Sequence, residues 1–296
     1  MSEFKRGYVS STKTMSICDT APTSDMPAAP QGMAFRDWRS TRDKESQPQL
    51  QLAWPSTNQG DCGCCWAFGS TEQIRSDYKR LTGTDPGLLS MQQMASCAPS
   101  DSNLNTLDPK STVGGCKGND PEWAFLYANA VGLVTASAYE YKNGTCATKS
   151  SDGMCATLPC GFEESPTVYV KDCFKIEGKD PKETEKAMAN YVLTEGPLVV
   201  SVATEGWDDY KKGDILDADT CKGAIDHVVQ IVGVNTQGGE KGGKPYWIVK
   251  NSWGPEWGDE GTIHLSYGEN TCNITHQPMY TTIANGDEYG DEERRA

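Results

Sequence analysis

Cys65 closes a turn, Gln59-Gly60-Asp61-Cys62-Gly63-Cys64, and opens a run, residues 65–81, whose pattern suits a helix. A cysteine at that junction would sit at a helix N-terminus, where the macrodipole and unpaired N–H groups favour a thiolate. Gly60 and Gly63 let the backbone turn tightly before it. Far downstream, Asp226-His227-Val228-Val229 places a histidine at the start of an apolar, strand-like run. Asn251-Ser252-Trp253-Gly254 follows another such run, Tyr246-Trp247-Ile248-Val249. Nucleophile, base and base-orienting amide are then present in the order Cys, His, Asn, and a fold that uses all three must bring a helix start against strand ends. Of the three histidines, His264 lies inside a strand-like run and His276 lies just beyond Cys272, so only His227 combines a preceding Asp with a strand start.

These motifs resemble those of papain-like cysteine proteases, the group that includes cathepsins L, B and X. The likeness begins at Ala34-Phe35-Arg36-Asp37-Trp38-Arg39, similar to the start of a mature cathepsin, and runs to Cys272 and the strand after it. The resemblance implies an α+β fold of two lobes, one helical and one an antiparallel, β-barrel-like sheet, with the active-site cleft between them. It implies a cysteine-type endopeptidase that hydrolyses peptide bonds through a Cys65 acyl-enzyme, with His227 as acid and base. Asn251 would hold the histidine ring, Trp253 would cover that bond from water, and Gln59 would join the backbone N–H of Cys65 as oxyanion donors worth ~3 kcal/mol each.

The family's substrate-facing positions fall here on Gly63, Gly118, Asn119, Ile225, Asp226, Val228, Trp253 and Gln277. Gln277 would form the base of the pocket that receives the second residue before the cut, and Ile225 and Val228 its apolar wall. A neutral amide at that base is expected to accept bulky apolar side chains and polar ones too. The family framework also implies disulfides Cys62–Cys116, Cys97–Cys146 and Cys221–Cys272, each contributing ~2–4 kcal/mol. With Cys65 kept as a thiol, Cys18, Cys64, Cys155, Cys160 and Cys173 remain. Cys160 with Cys173, or Cys155 with either, is compatible with the stretch that links the lobes. That leaves Cys18 and Cys64 as odd cysteines, Cys18 being a candidate cap on Cys65.

Three departures from the family pattern stand out. Cys64 replaces the usual Ser before the nucleophile, either as a steric substitute facing inward or as half of a vicinal redox pair. Asn119 replaces the glycine whose backbone normally pairs with an extended substrate. The stretch between Arg39 and Asn58 is longer than in most cathepsin L-like enzymes, which raises exopeptidase action as a rival to endopeptidase action. The same scaffold would also serve a peptide ligase, or a catalytically silent binding or storage protein.

At 296 residues the chain could hold one large domain or two smaller ones. Its net charge of −14 argues against nucleic-acid partners, and no apolar run approaches the ~18 residues of a membrane span. Twelve cysteines point to an oxidising compartment, and the resemblance implies a lysosomal, vacuolar or secreted one, although residues 1–15 lack the apolar core of a signal peptide. A signal and most of a proregion are therefore expected to precede this sequence. The sequons at Asn143 and Asn273 are compatible with secretion.

Residues 1–29, rich in Ser, Thr and Pro, are taken as an extension or proregion remnant. Residues 30–284 form the peptidase, helical over about 30–165 and β-rich over about 166–284, and the charged tail 285–296 is expected to be disordered. Helices are expected over 65–81, from a capping-box sequence at Ser90-Met91-Gln92-Gln93, over 122–130, and from Asp180-Pro181 to about 196. Strands are expected at 198–203, 227–234, 246–250, 262–267 and 278–283. No cofactor is implied. Cys62, Cys64 and Cys65 have no second ligand cluster of zinc spacing, so no metal is expected. The expected partners are protein or peptide substrates and a proregion or cystatin-like inhibitor, with no membrane partner and a monomeric state.

Overall fold

A helix that is buried on every side must find partners for each polar side chain it carries. Helix α1 (Cys65–Thr82) is in that position: residues 65–77 are all buried, although the stretch from Ser70 to Asp77 is polar apart from Ile74. In the computed structural model, which describes residues 8, 17–42, 48–100, 114–142, 160–238 and 243–284, those partners come from the β-rich half. Gln230 donates Nε2 to Gln73 Oε1 (3.1 Å) and Ser76 Oγ (3.0 Å). Thr281 donates its backbone N–H and hydroxyl to Asp77 Oδ2 at 2.8 and 2.9 Å. At the end of α1, Lys79 and Arg80 complement the last carbonyls, and Gly83 takes φ +75° with its N–H on Lys79 O at 2.8 Å.

Helices α2 (Met91–Cys97) and α3 (Pro121–Ala130) pack beside α1 around Trp66, Phe68, Leu89, Met94, Phe125 and Leu133. Ser90 caps α2 by accepting from Gln93 N at 2.9 Å. The other half of that capping box does not form, because Gln93 donates Nε2 to Gly132 O (2.9 Å) and accepts the Val134 N–H on Oε1 (2.8 Å), fastening the next turn instead. Asp120 and Asp180 cap α3 and α4 (Pro181–Thr194), each with proline at the first helical position.

The second half supplies β3 (Val170–Glu177), β4 (Leu198–Val202), β5 (His227–Asn235), β6 (Tyr246–Lys250), β7 (Thr262–Ser266) and β8 (His276–Ile283). Two short strands from the first half, β1 (Asp19–Pro22) and β2 (Phe35–Asp37), join them. The sheet runs β1-β3-β8-β4-β5-β6-β7, with β2 attached to β5. Every pairing is antiparallel except β1 with β3. Its own core collects Met188, Val192, Leu198, Val200, Trp207 and Trp247, among others. The fold is thus the expected α+β arrangement with two cores, but the sheet is an open path rather than a closed barrel. Residues 19–22, in the segment taken as an extension, are built into it.

The structure joins Cys62 to Cys116 and Cys221 to Cys272. It corrects two other expectations. Cys97 bonds Cys160, not Cys146, because residue 160 lies next to the end of α2 while spacing alone ranks several cysteines equally. Cys18 bonds Cys173, so it is neither an odd cysteine nor a cap on Cys65, and Cys173 is not left for Cys160. The pairing of β1 with β3 sets Asp19 opposite Phe174 and thereby brings the two sulfurs together. Cys146, Cys155, the Asn143 sequon and the tail 285–296 lie outside the described residues. Asn273, the other sequon residue, gives its side-chain amide to Gly223 O at 3.2 Å.

Candidate active site

Cys65 is the first residue of α1, and no side chain caps that end of the helix. No acidic residue lies in the first turn either, so the positive end of the helix acts on the thiol without a competing carboxylate. The turn before it is fixed by the Cys62–Cys116 bridge and by Gly63 N–H donating to Cys116 O at 3.1 Å. One turn into the helix, Gly69 permits close approach to the sheet: a β-carbon there would stand 2.8 Å from Val228 Cγ1.

His227 opens β5 and is wholly buried, with Nε2 2.7 Å from Asn251 Oδ1. That oxygen also accepts the backbone N–H of Ser252 at 2.8 Å, which identifies it as the amide oxygen and makes Nε2 the protonated nitrogen. Proton exchange therefore falls to Nδ1. Asn251 is itself held by donating its N–H to Gly261 O (2.9 Å) and accepting the Ser56 hydroxyl on its carbonyl (2.6 Å). Trp253 lies over the His227 ring at 5.0 Å between centroids, Trp207 meets it edge-on at 5.9 Å, and Trp257 packs on both tryptophans. This aromatic wall surrounds the His–Asn bond in low dielectric, where it is stronger than in water.

Two clamps join the lobes here. Gln59 accepts the Ser252 hydroxyl on Oε1 at 2.5 Å, donates its backbone N–H to Ser252 O at 2.9 Å, and donates Nε2 to Cys62 O at 2.8 Å. Deeper in, Glu72 of α1 and Lys250 of β6 form an ion pair at 3.0 Å with side chains only 3% and 4% exposed. Lys250 directly precedes Asn251, and Glu72 lies two turns along α1 from Cys65. Sequence inspection missed this pair, Ser252 and Trp207. Ser252 stands inside the motif and was the most accessible of the three.

Cys64 and Cys65 are not in disulfides. The Cys64 thiol is buried, 3.0 Å from the Tyr141 hydroxyl, which donates to Gln59 O at 2.8 Å. Burial pushes its pKa well up from the ordinary 9.0. An inward-facing replacement for serine describes it. Above pH 9.0 the unfolded chain releases a proton that the folded chain keeps, so this thiol's contribution to stability is complete below that pH and declines as pH rises further. In urea unfolding, the parent's midpoint should fall more steeply above pH 9.0 than that of Cys64→Ser; parallel curves would contradict the assignment.

Among the positions expected to face substrate, Asn119 turns its side chain away into the protein, donating Nδ2 to Pro99 O at 2.8 Å and accepting from Asp120 N at 2.9 Å. Its backbone edge is paired in a parallel bridge with Tyr8. Gly118 before it has φ +101°. Asp226 receives the Tyr8 N–H on its carbonyl at 3.1 Å and the Thr204 hydroxyl on its carboxylate at 3.0 Å. Ile225 is half-buried, and Val228 is buried with its Cγ1 close to Gly69. Gln277 meets the Tyr8 hydroxyl at 3.2 Å. Nothing in the sequence signalled Tyr8. Among the described residues no His, Cys, Asp and Glu group could hold a metal ion, and no helix is long and apolar enough to cross a membrane.

Residues 36–282 match the sequence profile of one family, described as papain family cysteine protease. Mouse (Mus musculus) cathepsin O is 34% identical over 224 residues, which span 74% of this chain and 61% of that protein. The chain spans about three-fifths of the length of the curated relatives it matches. Among solved structures, bromelain from Ananas comosus in complex with the E64 inhibitor is 28% identical with a TM-score of 0.63, covering 84% of this chain and 98% of that one. Digestive procathepsin L2 from the larval midgut of Tenebrio molitor is 26% identical with a TM-score of 0.72, covering 94% and 78% respectively.

Proposed function

The chain belongs to the papain family of cysteine proteases, and we propose that it cleaves peptide bonds inside polypeptide chains through an acyl-enzyme on Cys65. The Cys65 thiolate attacks the scissile carbonyl, and its Sγ–C bond forms as the carbonyl π electrons move to oxygen. Gln59 and the backbone N–H of Cys65 hold that oxyanion. Collapse breaks the C–N bond while His227 Nδ1 protonates the leaving amine. Water then attacks the thioester, giving its proton to Nδ1, and the C–Sγ bond breaks to release the carboxylic acid and restore the Cys65 thiolate beside the protonated His227. Asn251 keeps the ring aimed through Nε2.

The observation that carries this reading is the 2.7 Å His227–Asn251 bond inside its tryptophan wall, beside a helix that begins at Cys65. The lengthened stretch from Arg39 to Asn58 begins beside Val232, where Trp38 donates its N–H to Val232 O. That is about 16 Å along β5 from His227 at strand rise. The stretch ends at Asn58, which bridges to Trp253, so a peptide blocked at both ends is what separates cleavage within chains from trimming of ends. The disulfides support a lysosomal, vacuolar or secreted setting.

The test uses E64, the inhibitor in the bromelain complex. One adduct per molecule is expected in the chain carrying Tyr8→Ala, which frees the edge that Tyr8 occupies at Asn119 and Asp226. It should map by mass spectrometry to Cys65, be absent when Cys65→Ala is added and be kept when Cys64→Ser is added. A quenched fluorogenic peptide blocked at both ends should be cut by the same protein. Absence of the adduct would overturn the nucleophile, and cleavage only of peptides with an unblocked end would overturn the endopeptidase reading.

A further inference from the structure

The floor of the cleft is arranged around a hydroxyl. Asp120 uses Oδ1 to cap α3, accepting Glu122 N at 3.0 Å, and its Oδ2 accepts Gln277 Nε2 at 3.4 Å. With its nitrogen turned to Asp120, the Gln277 amide must present Oε1, an acceptor, in the other direction. The backbone of Gln277 holds φ +50°, a conformation that costs a non-glycine residue energy and marks a constrained position. His276 Nε2 converges on the same point: the Tyr8 hydroxyl lies 3.1 Å from it while donating to Gln277 Oε1 at 3.2 Å. The Tyr8 ring stands edge-on to His276, 5.9 Å between centroids.

The other end of Tyr8 sits on the two rims. Its N–H donates to Asp226 O at 3.1 Å, next to His227, and its backbone bridges to Asn119. One tyrosine thus has its main chain on both edges of the cleft and its phenol on the floor. A phenylalanine in its place would reach the same depth and leave the Gln277 acceptor without a donor from the ligand.

We propose that this pocket selects tyrosine over phenylalanine and leucine in the peptide that occupies the cleft, with Gln277 and His276 reading the hydroxyl. Tyr8 is then the chain's own occupant of that pocket. The catalytic consequence rests on the peptide-cleavage reading; the binding preference does not. Gln277 is half-buried and His276 exposed, so water solvates the pocket in part and the selectivity should be about tenfold rather than the far larger ratios of sealed sites.

The experiment uses the full chain carrying Tyr8→Ala, which leaves the pocket open to added peptides. Blocked fluorogenic peptides differing only at the second residue before the cut should show kcat/KM for Tyr about tenfold above Phe, Leu and O-methyltyrosine, which cannot donate. Adding Gln277→Met should bring Tyr and Phe within about twofold. In parallel, Cys65→Ala with Tyr8→Ala is titrated with the uncleaved Tyr and Phe peptides, and the same tenfold ratio is expected in Kd. Turnover with equal rates for Tyr and Phe overturns the pocket and leaves the protease standing. Tyrosine-selective binding with no turnover by the Cys65 enzyme supports the pocket and overturns the protease. Equal binding without turnover overturns both.

Discussion

His227→Ala is expected to lower kcat/KM for peptide hydrolysis by about 10³–10⁴-fold. On the proposed mechanism the substitution removes the proton donor for the leaving amine, the base for water in the second step, and the cation paired with the Cys65 thiolate. It also strips Asn251 Oδ1 of the shorter of its two hydrogen bonds, leaving only the one from Ser252 N. Because His227 is wholly buried among Trp207 and Trp253, the variant is checked by urea unfolding, and His227→Gln serves as a bulkier second variant. Both should lose reactivity toward E64 along with hydrolysis. A loss below about tenfold in a folded variant would place the acid and base elsewhere.

Lys250→Met should cost about 3–5 kcal/mol of folding stability. The Glu72 carboxylate is 3% exposed, and among the described residues neither its oxygens nor Lys250 Nζ make a hydrogen bond, so the 3.0 Å ion pair is what compensates the two buried charges. Removing the lysine therefore leaves a buried charge with no compensation. The paired change Glu72→Gln with Lys250→Met should recover most of that loss, since replacing both members of a buried pair is often neutral. A double-mutant cycle in urea measures the coupling. A cost of the double variant equal to the sum of the two single costs would show that the pair contributes nothing as a pair. The position of the pair gives it a bearing on chemistry, since it pins the helix that starts at Cys65 to the strand whose last residue, Lys250, directly precedes Asn251.

Much of this site could be read from residue order. Cys65, His227 and Asn251 stand at element boundaries, and such boundaries carry local signals: the glycine turn, the Asp before an apolar run, the run's abrupt end. The cap at Asp180 was legible for the same reason, being decided within four residues, whereas the same Asp-Pro start at Asp120-Pro121 was passed over and the helix expected one residue late. What escaped was decided across the chain. The Cys97 partner depends on which loop passes the end of α2, and spacing treats Cys146, Cys155 and Cys160 alike. Strand β3 escaped because its charges break the alternation: Lys171 and Asp172 are consecutive and exposed while Val170, Cys173 and Ile176 are buried. Glu72 and Lys250 looked like ordinary surface charges, and only the approach of α1 to β6 makes them a buried pair. Asn119 departs from a glycine in sequence yet keeps its backbone edge in the cleft, because its side chain found Pro99 instead.

Strand order also governs when the catalytic helix can be seated. The last strand in the chain, β8, occupies the middle of the sheet between β3 and β4, and Thr281 on it supplies the hydrogen bonds that satisfy Asp77 of α1. As synthesis proceeds from the N-terminus, β3 and β4 emerge with a gap between them that nothing fills until residue 283 has left the ribosome. Such long-range closure is slow, and it keeps the helix and sheet from locking early. A growing chain of this protein therefore carries Cys65 for most of its synthesis without the packed surroundings that would make it reactive.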